Sequence, residues 1–226
     1  MSFVEYAISP LRPNDYNETF DFMQNHFRIQ EPITRALDTS CNDSYAFYRD
    51  LCNAGFKTPG ASLAVRSPSN ELIGVALNGC YTYDELEDKQ IVNKTDFTKK
   101  IAEGPYESRN ANRLIVFIEH VESGLRSLLP SNAKVFKLDI LAIRADYCRR
   151  GIGRELLFKT IELARSFACS CVVTCATARA SHQLFQNNGF RVVRCVPFQE
   201  FMDNNVTIYK NVHDGGDAAR LEIYDL

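Results

Sequence analysis

The chain has no apolar run approaching the roughly 18 residues that a membrane-spanning helix needs. It also has no surplus of charge: 26 lysines and arginines face 28 aspartates and glutamates, for a formal net charge of −2. A nucleic-acid binder is expected to carry a basic excess, so neither a membrane nor a nucleic acid is an expected partner. Zinc-type cysteine pairs are missing as well. Cys169, Cys171 and Cys175 cluster, but their spacing is not a pair of pairs, and no metal is expected. They read as buried free thiols alternating on a strand over residues 170–176, in a reducing compartment. Residues 1–6 lack a basic region before an apolar core, and position 2 is not glycine, which points to a cytoplasmic protein. Repeats, linkers and low-complexity segments are absent. With 226 residues and 45% hydrophobic content, the expectation is one α/β domain over residues 1–226, acting as a monomer.

What is present centres on residues 135–154. An apolar run from Val135 to Ile143 has strand length and β-forming residues. A polar turn leads into Arg149-Arg150-Gly151-Ile152-Gly153-Arg154. A helical pattern follows, with apolar residues at 152, 156, 157, 160, 161, 164 and 168. The first turn of a helix offers unpaired amides and a positive dipole end, so it attracts an anion. Gly151 and Gly153 keep side chains away from those amides, and Arg149, Arg150 and Arg154 suit bidentate phosphate contacts. A solvated strand-to-helix turn is the competing reading. The turn is not a P-loop, which needs Gly-x4-Gly-Lys-Ser/Thr. Nor is it a dinucleotide fingerprint, because Leu156 stands at the third-glycine position.

The hexad Cys148-Arg149-Arg150-Gly151-Ile152-Gly153 resembles the Arg/Gln-x-x-Gly-x-Gly/Ala motif of the GNAT superfamily of N-acetyltransferases, with Cys148 as its one departure. Ser181 to Phe190, ending in Asn-Asn-Gly-Phe, resembles that superfamily's second motif. The implied fold is α/β, a mixed and mostly antiparallel sheet with a splayed central strand and helices on both faces. The resemblance also implies that Leu141, Ala142 and Ile143 pair with the pantetheine arm of acetyl-CoA. The pyrophosphate would then rest on Arg149, Arg150, Gly151, Ile152, Gly153 and Arg154.

Phe27-Arg28-Ile29-Gln30-Glu31-Pro32-Ile33 is similar to a stretch of the insect arylalkylamine N-acetyltransferases. So are Leu72 to Gly79 and Phe190 to Phe201. This closer resemblance implies transfer from acetyl-CoA to a small primary amine in a ternary complex. Dopamine, serotonin, tyramine, octopamine, agmatine and polyamines all stay open as acceptors, with a protein acetyltransferase or a CoA-binding sensor as rival classes. An alkylammonium must lose a proton before it can attack. The resemblance assigns that proton to Glu31, alone or through waters, whereas by sequence alone Glu31 reads as an inert acid at a proline turn. Many relatives place a tyrosine where this chain has Phe185. The insect branch has hydroxyls earlier, at positions matched by Ser181 and Thr177. Ser181 reads equally as a helix N-cap. Phe27, Glu31, Pro32 and Tyr45 are the expected amine contacts, with Phe22, Phe47, Tyr48 and Phe56 as further candidate walls. Asp38, Asp43 and His182 match no catalytic position, and His120 is a minor pocket candidate.

The remaining segments read as a first strand over Phe3–Ile8, a helix from Asn14 or Asp15 that breaks at Pro32, and a helix from 42–53 ended by Gly55. A hairpin over 62–78, a loop and helix onset over 84–100, and a helix over 110–129 follow. Strands are expected at 171–175, 191–196, 206–209 and 221–224, with His213–Gly216 joining the last two.

Overall fold

A computed structural model describes residues 5–87, 89–91 and 95–226. The expected strand residues Phe3 and Val4 lie outside these, and the first strand, β1, is Ala7–Pro10. The chain continues through α1 (Tyr16–Phe22), a π-helical turn (Met23–Phe27) and α2 (Arg28–Gln30). Glu31 leaves the helical region at ψ 123, as expected before a proline, and Pro32 opens α3 (Pro32–Ala36).

Helix α4 (Cys41–Lys57) starts at Ser40, whose hydroxyl and the Asp43 carboxylate form a capping box. Gly55 was expected to end this helix and does not. It sits inside it because a Cβ there would meet Leu77 Cβ at 3.0 Å, so glycine lets α4 press onto the sheet. Strands β2 (Leu63–Arg66) and β3 (Leu72–Thr82) form the expected hairpin. Then come α5 (Thr98–Ala102) and α6 (Arg109–Glu122). The α6 pattern was read through to Leu129, but the helix stops before Gly124, which adopts φ +82.

The central strand β4 (Lys134–Ile143) leads to α7 (Ile152–Ser166) and β5 (Cys171–Ala176). Cys169 precedes that strand rather than lying on it. Helix α8 (Arg179–Gln186) and strand β6 (Arg191–Pro197) follow. Residues 206–209 were read as a sheet strand. Instead, β7 (Met202–Asp203) and β8 (Val206–Thr207) pair with each other outside the main sheet, and Met202 also bridges to Asp96. The 213–216 turn feeds β9 (Ala218–Asp225), whose partners are β5 and β6 rather than β8.

The sheet order is β1-β2-β3-β4-β5-β9-β6, antiparallel except at β4–β5. One apolar core lies under α1–α4 and α6, and the other under α7 and α8, so helices cover both faces. On α7, Ile152, Leu156, Leu157 and Ile161 are buried, each worth roughly 1.5–3 kcal/mol.

Two irregularities shape the middle of the sheet. β4 pairs with β5 only from Val135 to Leu138, so its second half has no neighbour on that side. Opposite β3, the register jumps from Leu138 to Ile140 and passes over Asp139, a β-bulge. The bulge turns Asp139 and Ile140 toward the α6 side together.

Candidate active site

The splay opens a cavity of about 190 Å³ between the ends of β4 and β5. Leu141, Ala142, Ile143, Pro32, Ser181 and Phe185 line it. A second cavity, about 380 Å³, lies between the first helices, α6 and the sheet, with Phe47, Leu51, Leu114, Ile115 and Ile118 as apolar walls. Phe27, Glu31, Asp139, Ile140, Cys175 and Thr177 line both, so the cavities meet there.

Glu31 is buried at this junction because it has a structural task too. It caps α3, and its Oε1 accepts from Ile33 N at 3.3 Å and from Thr177 Oγ1 at 2.8 Å. Its Oε2 accepts from Thr34 N at 2.7 Å and Thr34 Oγ1 at 2.6 Å. A carboxylate offers about four lone-pair sites, so all are filled. Burial raises the Glu31 pKa above the ordinary carboxylate value, and these four donors oppose the rise. The Thr34 hydroxyl lies 2.9 Å from that of Tyr48, which burial pushes above the usual phenol range. The π-helical turn lies one short helix before Glu31, and its last residue, Phe27, lines both cavities, as such irregularities often do at sites.

Beside the junction, a half-buried ion triad lines the larger cavity. Lys137 Nζ lies 3.0 Å from Glu122 Oε1 and 3.0 Å from Asp139 Oδ1. Burial acts to lower the Lys137 pKa, but the two carboxylates hold it well above its usual value. Burial raises that of Glu122.

Of the anticipated residues, Phe27, Glu31, Pro32, Ser181 and Thr177 converge here. Ser181 is not an N-cap: it is the third residue of α8, Ala178 is the cap position, and Ser181 lines the smaller cavity. Tyr45 is a miss. It is 52% exposed and packs edge-on against Phe20, lining neither cavity. Phe22 and Phe56 are core side chains, and Tyr48 stands behind Thr34. His120 packs on Phe97, with its pKa lowered to about 4 by burial, and His182 bonds the buried Glu222 at 2.8 Å. Asp43 is spent on its capping box, and Asp38 sits in a turn at φ 47. Asp139, Lys137, Glu122 and Thr34 were missed. The charges in Phe136-Lys137-Leu138-Asp139-Ile140 were the available signal, since a buried strand has no other use for them.

The glycine turn has the shape an anion needs. Arg149 and Gly151 both take positive φ, 60 and 85, and a Cβ on Gly151 would touch nothing within 4 Å. The amides of residues 149–153 have no hydrogen-bond partner among the described residues, while those of Arg154 and Glu155 bond Gly151 O. Such a run of free amides at a helix start is an anion cradle. Arg150 is held by Asp146 O at 2.8 Å and Arg154 by Asn188 Oδ1 at 3.3 Å, beside it.

A family model, the acetyltransferase (GNAT) family, matches residues 32–190, and the chain belongs to that family. It is thus an acyltransferase with the family's fold, and that family uses acetyl-CoA. No curated protein matches the sequence. Among solved structures, arylalkylamine N-acetyltransferase 2 from Aedes aegypti superposes with a TM-score of 0.77 at 18% identity, covering 98% of this chain and 99% of that one. The Drosophila melanogaster polyamine N-acetyltransferase, an enzyme that forms N-acetylagmatine, superposes at 0.74 with 13% identity, covering 98% and 100%. The C-terminal condensation domain of Ebony, in complex with β-alanyl-dopamine, superposes at 0.73 with 14% identity, covering 99% and 100%. No described helix is long and apolar enough to cross a membrane.

Proposed function

We propose that this acetyltransferase transfers the acetyl group of acetyl-CoA to a small primary amine by direct attack in a ternary complex, with arylalkylamines as the leading acceptors. The observation that carries this reading is the meeting of two cavities at Glu31 and Thr177. The smaller cavity, at the unpaired half of β4, suits the pantetheine arm along Leu141, Ala142 and Ile143. The free amides at Arg149 to Gly153, with the guanidinium of Arg154 beside them, suit the pyrophosphate. Acetyl-CoA supplies the activated acyl group, and the remaining steps fall to the protein. The larger cavity takes the amine, with Phe27 and Phe47 as aromatic walls.

Because four donors fill the lone pairs of Glu31, the ammonium proton reaches it through Thr177. That hydroxyl already donates to Oε1, so its own lone pairs are free to accept. As the Thr177 oxygen takes the amine proton, its former proton passes to Glu31. The raised pKa of Glu31 brings it closer to what a base needs near neutral pH. Ser181, at the thioester mouth, is placed to donate to the departing sulfur. No metal takes part in this scheme.

A second reading, an agmatine or polyamine acceptor, is favoured by the charge of the larger cavity. Glu31, Glu85, Glu87, Glu119, Glu122 and Asp139 line it against Lys89 and Lys137. A thiol-release assay over arylalkylamines, agmatine and polyamines separates the two. Acetyl-CoA binding with no turnover on any amine would favour a sensor, and turnover on a protein lysine alone would favour a protein acetyltransferase.

A further inference from the structure

Asp139 stands apart from the other carboxylates of the site. The β-bulge removes it from the β3 ladder, and the splay leaves it just past the last residue that pairs with β5. Its side chain is 10% exposed, and it lines both cavities at their junction. Lys137 fixes Oδ1 at 3.0 Å, whereas Oδ2 has no partner among the described residues. Glu31 is the reverse, with every lone pair engaged. Glu122 is turned to the same lysine and lines only the larger cavity. A cationic nitrogen entering the junction therefore meets one carboxylate with open lone pairs, and it is Asp139.

We propose that Asp139 Oδ2 binds the ammonium of the acceptor amine and holds its nitrogen within reach of Thr177, an assignment that rests on the amine-acetylation reading. Lys137 acts as the positioning residue: by holding Oδ1 it prevents the carboxylate from turning away. Glu122 shares Lys137 with Asp139, so the lysine is not given over to Asp139 alone. Asp139 binds the charged amine, while the Thr177–Glu31 pair takes the proton and releases the neutral nucleophile. No proton needs to move to Asp139.

The test is calorimetry of phenethylamine and putrescine against the CoA-saturated protein, wild type and Asp139→Asn, near neutral pH. Phenethyl alcohol serves as the uncharged control. A charge-assisted contact of this kind sets the expected loss at about 10- to 100-fold in amine affinity. Affinity for phenethyl alcohol and CoA should not change, and Asp139→Glu should recover most of the amine affinity. Wild-type amine affinity in Asp139→Asn would overturn the assignment. So would an equal loss for phenethyl alcohol, which would mark a damaged cavity, or failure of the wild type to bind either amine. Amine binding that depends on Asp139 without thiol release would instead sink the acetylation reading and leave Asp139 as an amine-binding residue alone.

Discussion

Thr177 is the hinge of the proposed chemistry at the residue scale, because it touches Glu31 and both cavities at once. Thr177→Val keeps the shape of the side chain and removes the relay. Turnover should fall by about 10²-fold or more, the range for losing a proton-transfer partner, while Thr177→Ser should keep most of the rate. The check is the thiol-release rate at saturating acetyl-CoA; equal rates for Thr177→Val and wild type would remove the hydroxyl from the mechanism. Glu31 also carries structure. In Glu31→Gln the new amide nitrogen faces Thr34 N, already a donor, so one buried group loses its bond. That should cost roughly 1–3 kcal/mol and lower the melting temperature. The sequence showed Glu31 through its neighbour Pro32, but it could not show that the carboxylate is saturated by its own helix start.

Among the elements, the turn between β4 and α7 makes the cleanest prediction. Gly151 sits at φ 85, where a β-branched residue is strained, so Gly151→Val would force the turn to change and misplace the amides. Acetyl-CoA affinity should drop by at least tenfold by calorimetry, with the melting temperature moving by a few degrees. Unchanged affinity would remove this turn as the phosphate site. The turn, α7 and the sheet hairpin were legible because glycine positions and apolar periods are local signals. The β4 bulge and splay were not, because both depend on which strand lies alongside. For the same reason β8, a fair strand by composition, stays outside the main sheet. The early end of α6 could have been read from Gly124, whose φ of +82 stops the helix.

For the molecule as a whole, the expected fold followed from the resemblance of two motifs at the proper interval. All eight cysteines are free. Cys41, Cys148 and Cys195 are exposed, whereas Cys52, Cys169 and Cys171 are buried, with their thiols pushed up by burial to about 12, 12 and 11. A thiol reagent should therefore modify the exposed three quickly in the native protein and the buried three only on denaturation. Rapid modification of Cys52 or Cys171, read by mass spectrometry, would contradict this packing. The acceptor cavity was the least legible part, since its walls come from α4, α6, β4 and the start of α3, separated widely in sequence.

The central claim is that Glu31 is the final proton acceptor. The most direct measurement is the pH dependence of kcat/KM for the preferred amine, in wild type and Glu31→Gln. Ionised Glu31 is the working form, and its pKa is raised. Wild-type activity should therefore fall as the pH drops, through an apparent pKa above the ordinary glutamate value. Glu31→Gln should lose that limb and run about 10²–10⁴-fold slower near neutral pH. Superimposable profiles for the two proteins would contradict the account and leave Glu31 as the cap of α3 alone.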